Sequence, residues 1–208
     1  MPQASILLTF LAASLALNFT PGADMAYVVA RSLAQGRKAG VISALAITVG
    51  CLVHIGLATL GLAALLAHSP LAFRLLQYAG SAYLLVIAWR LLREGPASGD
   101  ASLAPAGYRR IFVQGMLTNV LNPKVALFIL AFLPQFVDPS RGSPSLQMLF
   151  LGALFCVSGT IVNGSIALLT ARAGRAVTGS SAAALWLRRI SAGILALLAV
   201  RLVLAART

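Results

Sequence analysis

The sequence predicts an all-α membrane protein of six transmembrane helices, arranged as a 3+3 inverted repeat with spans one and four broken. Three observations carry that prediction. Of 208 residues, 60% are hydrophobic and 10% charged, with a mean hydropathy of +0.93, whereas a soluble domain carries about 25% charged residues. Apolar runs reach the roughly 20 residues that a bilayer-crossing helix needs. Two of those runs are interrupted by segments containing Asn and Pro. Disordered, collagen-like and disulfide-rich classes are excluded by composition. A net charge of +12 and a pI near 11.5 normally raise nucleic-acid binding. In a chain this apolar the charge is read against a lipid bilayer, and no nucleic-acid partner is expected.

Span one covers about residues 4–30 and breaks at Asn18-Phe19-Thr20-Pro21-Gly22-Ala23-Asp24. Ile6–Leu17 resembles a signal-peptide core ending at Ser14-Leu15-Ala16, but no Lys or Arg precedes it, so an uncleaved first helix is expected. Spans two and three lie at about 41–67 and 70–92. A connector over about 94–108, rich in Gly, Pro, Ala and Ser, reads as flexible. Span four, about 111–136, breaks at Asn119-Val120-Leu121-Asn122-Pro123-Lys124; Pro134 and Asp138-Pro139 terminate it and turn the chain. Spans five and six lie at about 146–170 and 186–206. A barrel would instead show alternating segments of about 10 residues. The chain is thus one transmembrane domain over residues 1–208, with repeat one at about 1–93 and repeat two at about 109–208.

The basic residues orient the chain. Arg31, Arg37 and Lys38 follow span one; Arg90, Arg93, Arg109 and Arg110 follow span three; Arg172, Arg175, Arg188 and Arg189 follow span five. The opposite side has Arg74, Arg141, Arg201 and Arg207. The positive-inside rule therefore places the odd connections in the cytoplasm and both termini outside. Lys124 is the one basic residue this leaves over.

The division into halves rests on the paired breaks, with weaker matches between Gly50-Cys51-Leu52-Val53-His54 and Gly159-Thr160-Ile161-Val162-Asn163, and between Ala79-Gly80 and Ala192-Gly193. A three-span unit that repeats must re-enter the membrane inverted, a plan shared by many secondary transporters, whose binding sites lie at the interrupted helices. Thr20-Pro21 and Asn122-Pro123 both read as helix starts, a capping side chain followed by Pro at the first helical position. Each would open a half-helix N-terminus within the membrane, suited to a carboxylate. Such irregular backbone survives only beside protein or a water-filled cavity.

Asp24 is the sole acidic residue in any span, since Glu94, Asp100 and Asp138 lie in connections. Lys124 stands beside the second break. A charge at the bilayer centre costs at least about 2.5–3.5 kcal/mol, and a cation in a helix's first turn opposes the dipole by about 0.3–1 kcal/mol. Something anionic is therefore expected to compensate Lys124: Asp24, a substrate carboxylate, or each in turn. An Asp24–Lys124 pair that only fixes packing is the plainer alternative. Asn18, Thr20, Pro21, Gly22, Asn119, Asn122 and Pro123 complete the candidate site. His54 and Asn163 are polar and mid-span, either lining the cavity or hydrogen-bonding across helices as packing glue. Tyr83 is a further cavity-lining candidate, with packing as its alternative role.

Cys51 and Cys156 form no Cys-x-x-Cys pair, do not match between repeats, and read as small apolar residues. His54 and His68 are the only histidines, so no metal site has the required spacing. No phosphate- or dinucleotide-binding motif occurs and no nucleophile–base pair stands out. No cofactor and no enzymatic activity are expected.

These residues resemble the LysE/RhtB-type amino-acid exporters. The resemblance rests on Asn18 through Asp24, on Gly36-Arg37-Lys38-Ala39-Gly40, and on Asn122-Pro123-Lys124 followed by Phe132-Leu133-Pro134-Gln135-Phe136; it covers nearly the whole chain. Ala23 departs from the Pro common there. The resemblance implies proton-driven export of amino acids from the bacterial cytoplasm across the inner membrane, with breaks closer to the threonine/homoserine branch. The substrate's carboxylate would sit with Lys124 and its ammonium near Asp24, which would also carry the proton. Its partners are then the amino acid, protons and the lipid bilayer, with room for a homo-oligomer. Two other classes stand beside it. A membrane thiol–disulfide electron carrier needs two thiols that can meet, and a metal-cation exporter needs more His, Cys and carboxylates than the spans hold.

Overall fold

Two prolines divide the helices. Proline drives the residue before it out of the α region, and Thr20 (φ −67°, ψ 121°) and Asn122 (φ −80°, ψ 106°) are both extended. The structure is a computed structural model describing residues 3–68, 70–93, 104–173 and 181–207. Most of the expected connector, with Glu94 and Asp100, lies outside the described residues, as does Arg175.

Helix α1 spans Ala4–Phe19, and its 16 residues rise about 24 Å, short of a hydrocarbon core of about 30 Å. Helix α2, Ala23–His68, resumes beyond the break and is divided again at Gly36 (φ 74°, ψ −169°). That left-handed conformation strains any residue with a Cβ. Helix α3 spans Pro70–Arg93, α4 Tyr108–Val120 and α5 Pro123–Leu127. Helix α5 runs on as a π turn over Phe128–Phe132 and a 3-10 turn over Leu133–Phe136, because Pro134 offers no N–H to an α-helical ladder. The direction changes by 48° between residues 108–120 and 123–136. Helices α6, Pro144–Ala173, and α7, Ser181–Arg207, complete the fold, with no strand among the described residues. Asp138 and Pro139 make the expected turn, with Gln147 of α6 bonded to the Asp138 backbone on both sides.

The two breaks end differently, which corrects one expectation. Asn122 caps as anticipated, its side chain accepting from the Lys124 amide at 3.0 Å with Pro123 at the first helical position. Thr20 does not start a helix. Its hydroxyl donates back to the Ala16 carbonyl at 2.7 Å and its amide bonds Ala16 and Leu17, so it closes α1, while α2 starts at Ala23. A hydroxyl can donate to the carbonyls orphaned at a helix C-terminus, whereas the Asn122 oxygen can only accept and so serves an N-terminus.

Polarity is inverted relative to a soluble protein. Leu52, Leu57, Leu60, Ile161, Leu169 and Leu197 are exposed, whereas Asp24, Lys124, His54, Asn119 and Asn122 are buried. An apolar exterior of this extent is a lipid-facing or partner-facing surface. Among the described residues, two helices, over Ala23–Gly61 and Pro144–Arg172, are long and apolar enough to cross a membrane, and the bent pair Tyr108–Val120 with Pro123–Phe136 makes a third if it is one span.

Helix α2 packs between α4 and α6, and α3 lies along α7, where the Ser81 hydroxyl donates to the Ala199 carbonyl at 2.9 Å. Small residues permit the close approaches. A Cβ on Gly50 would stand 2.7 Å from the Met116 carbonyl oxygen and 2.8 Å from Asn119 Cβ, while one on Gly159 would meet Asn18 Oδ1 at 3.1 Å. Gly50→Ala is therefore expected to destabilise the fold by ~1–3 kcal/mol, seen as a lower unfolding temperature in detergent. Gly56→Ala, where the added carbon meets open space, should leave that temperature unchanged.

Candidate functional site

The two breaks meet in the interior. Between them lies a cavity of about 30 Å³, enough for about two waters. Asn18, Asp24, Asn119, Lys124 and Asn163 line it, together with Thr48 and Cys51 of α2 and Cys156 and Thr160 of α6.

Asp24 stands in the first turn of α2, where the helix dipole favours a carboxylate. It is 7% exposed. Its Oδ2 accepts from Asn119 Nδ2 at 2.8 Å across the two breaks. Its Oδ1 has no hydrogen-bond partner, and neither do Asn119 Oδ1 or Asn122 Nδ2. Buried polar atoms left so are costly, and both Asp24 and Asn119 line the cavity.

Lys124, 8% exposed, is compensated differently from what its charge predicts. Its Nζ donates to the Thr20 carbonyl at 2.9 Å and the Leu17 carbonyl at 3.2 Å. It therefore caps the C-terminal end of α1, where helix carbonyls lack partners and the dipole is negative. It does not pair with Asp24; the ion pair among the described residues is Arg141–Asp138 at 3.3 Å, in the turn before α6. Gly22 leaves room for this arrangement, since a Cβ there would stand 3.2 Å from Lys124 Nζ.

The other candidates divide. Asn18 Nδ2 donates to Ser158 Oγ at 3.0 Å, tying the first break to α6. His54 Nε2 bonds the Asn119 carbonyl at 3.1 Å, closing the end of α4 much as Lys124 closes the end of α1. It serves a backbone end and is not among the cavity-lining residues, unlike Asn163. Tyr83, on α3, is likewise not among them.

Among the lining residues that sequence reasoning missed, four are weakly polar: Thr48, Cys51, Cys156 and Thr160. Thr48 and Thr160 hydroxyls stand 2.6 Å apart across α2 and α6. Cys51 and Cys156, which no motif spacing pairs, are both buried and have their sulfurs 2.8 Å apart. The spacing along α2 (48, 51) and α6 (156, 160) is the signal that was available. Residues three and four apart share a helix face, so each pair forms a weakly polar stripe.

Flanking the cavity, the first limb of α2 runs along α4. Tyr27 OH donates to the Ile111 carbonyl at 2.8 Å. Arg31, 4% exposed, donates to Gln114 Oε1 at 2.8 Å, Gln35 Oε1 at 3.0 Å and the Ala104 carbonyl at 3.1 Å. On another side the closure is aromatic. Phe155, in the cavity wall, stacks on Phe128 with centroids 5.0 Å apart, and Phe128 contacts Phe132 and Phe10, which both reach Phe136.

Fold and site together define a helical membrane protein with a charged, water-sized cavity where two interrupted helices meet. The LysE type translocator family profile matches residues 15–206, and the chain belongs to that family. It is a transporter, not an enzyme. It is 32% identical over 172 residues to a homoserine/homoserine lactone efflux protein of Salmonella typhimurium, covering 82% of each chain. It is 30% identical over 170 residues to a leucine efflux protein of Klebsiella pneumoniae, covering 76% of this chain and 78% of that one. An uncharacterized membrane protein of Vibrio cholerae is 28% identical over 169 residues, covering 81% and 82%. No solved structure matches the chain.

Proposed function

We propose that the chain exports small neutral amino acids, or derivatives such as threonine and homoserine, from the bacterial cytoplasm across the inner membrane in exchange for protons. One observation carries the reading: a buried carboxylate, Asp24, has an unpartnered oxygen beside a polar cavity at the meeting of two helix breaks. The substrate ammonium binds Asp24 Oδ1 and Asn119 Oδ1. Its carboxylate takes Lys124 Nζ away from the Leu17 and Thr20 carbonyls. Protonation of Asp24 from outside releases the ammonium. The relatives named for efflux of homoserine, homoserine lactone and leucine support this substrate class.

In this reading the domain has six spans, at residues 4–35, 37–68, 70–93, 108–136, 144–173 and 181–207, as repeat one (about 1–93), a connector (about 94–108) and repeat two (about 109–208). The distribution of basic residues puts both termini outside. A reciprocal contact supports the repeat: Gly50 abuts Asn119 and Gly159 abuts Asn18, and a twofold axis relating the halves exchanges these contacts. The same axis exchanges the interface of α2's first limb with α4 for that of the π and 3-10 turns after α5 with α1. The first, with Tyr27, Arg31, Gln35 and Gln114, is the cytoplasmic gate; the second, with the phenylalanines, is the outer gate. Each opens in turn as one repeat rocks on the other.

The deciding experiment uses purified protein in vesicles with labelled threonine, homoserine, leucine and lysine, with and without a pH gradient. Threonine or homoserine should move uphill only while protons flow the other way. Transport indifferent to a protonophore would overturn proton coupling, and a preference for lysine would overturn the substrate class. Arg31→Ala tests the inner gate. It removes charge-assisted hydrogen bonds of about 1.5–3 kcal/mol each, so amide exchange over residues 104–118 should rise at least about tenfold. Unchanged exchange would leave Arg31 without a gating role.

A further inference from the structure

We propose that Cys51 and Cys156 are an oxidation site whose disulfide locks the two halves together and arrests the carrier. The inference rests on the six-span reading above. Cys51 lies on α2 in the first half and Cys156 on α6 in the second, and neither forms a disulfide in this structure. Their sulfurs face each other at 2.8 Å, within reach of the about 2.05 Å of a disulfide bond. Both line the cavity with Asp24 and Lys124. The cavity of about 30 Å³ has room for about two waters, and hydrogen peroxide is of that size.

The chemistry balances with hydrogen peroxide as oxidant. The thiolate of one cysteine attacks a peroxide oxygen, the O–O bond breaks, and a sulfenic acid and one water form. The other thiol then attacks that sulfur, the S–O bond breaks, the S–S bond forms and a second water leaves. Two thiols give up two electrons and two protons, and one peroxide becomes two waters. The crosslink joins α2 to α6 at the level of the site, where the halves must slide past each other for access to alternate.

The test uses the full chain in vesicles, treated with hydrogen peroxide, then denatured and alkylated with N-ethylmaleimide. Wild type should be about 2 Da lighter and take no label. Labelled threonine transport should fall at least about tenfold and return with dithiothreitol. Hydrogen exchange at residues 18–24 and 119–124 should fall in parallel. Cys51→Ser/Cys156→Ser should lose less than about twofold relative to its own untreated rate. Two labelled thiols after oxidation would overturn the site. A disulfide with transport and exchange both unchanged would overturn the lock. If reduced wild type moves no amino acid, the export reading fails by itself, and the exchange measurement still decides whether the crosslink immobilises the breaks.

Discussion

Asp24→Asn is expected to abolish proton-driven accumulation of amino acid while the protein still inserts and folds. The substitution keeps the size of the side chain and an oxygen for the Asn119 amide, which now sits 2.8 Å from Asp24 Oδ2. It removes the charge. A charge-assisted hydrogen bond is stronger than its neutral counterpart, so losing up to about 3 kcal/mol at the proposed ammonium site predicts ~100-fold weaker substrate binding. Coupling is lost outright, because no other carboxylate lies in the proposed spans. Vesicles carrying the variant should show no uphill transport under a pH gradient. Undiminished uphill transport would end the coupling role of Asp24.

Lys124→Met is expected to damage two properties at once. Met fills much of the space of the Lys stem but cannot donate to the Leu17 and Thr20 carbonyls, which lie 3.2 Å and 2.9 Å from Nζ. Leu17 keeps the Thr20 amide as a partner. The Thr20 carbonyl loses a donor, at a cost of about 1–3 kcal/mol, and thermal stability should fall accordingly. Substrate recognition should fall selectively: KM for threonine rises about 10- to 100-fold, whereas threonine methyl ester, which has no carboxylate, changes little. Equal losses for acid and ester would make Lys124 a cap on α1 and nothing more.

Much of this arrangement was legible in the chain, and the limits have physical causes. Pro21 and Pro123 announce the breaks because proline acts on its immediate neighbour, a purely local effect. The same locality misled at Thr20, whose hydroxyl can serve either the helix ahead or the helix behind. Its choice depends on which backbone groups are left without partners. The isolation of Asp24 and Lys124 in apolar sequence marks both residues as costly, but not what offsets the cost. Lys124 reads as a cation in need of an anion. In the fold it finds carbonyl oxygens more than a hundred residues away, and backbone acceptors leave no trace in composition. Cys51 and Cys156 were hidden for a related reason. They contact across α2 and α6 from positions that do not correspond in the proposed repeat, so neither motif spacing nor that symmetry pairs them.

The chain of phenyl rings from Phe155 through Phe128 to Phe10, Phe132 and Phe136 has a consequence beyond excluding solute. Phenyl edges and faces offer water almost nothing to bond, and apolar constrictions dry out. A proton crosses a membrane protein by hopping along continuous files of water, and this stretch interrupts the file. At the other flank Arg31 does the same by charge, since a buried guanidinium repels hydronium. An empty carrier closed in this way is electrically quiet. On the proposed antiport reading, it can sit in an energised membrane at high copy number without short-circuiting the proton gradient.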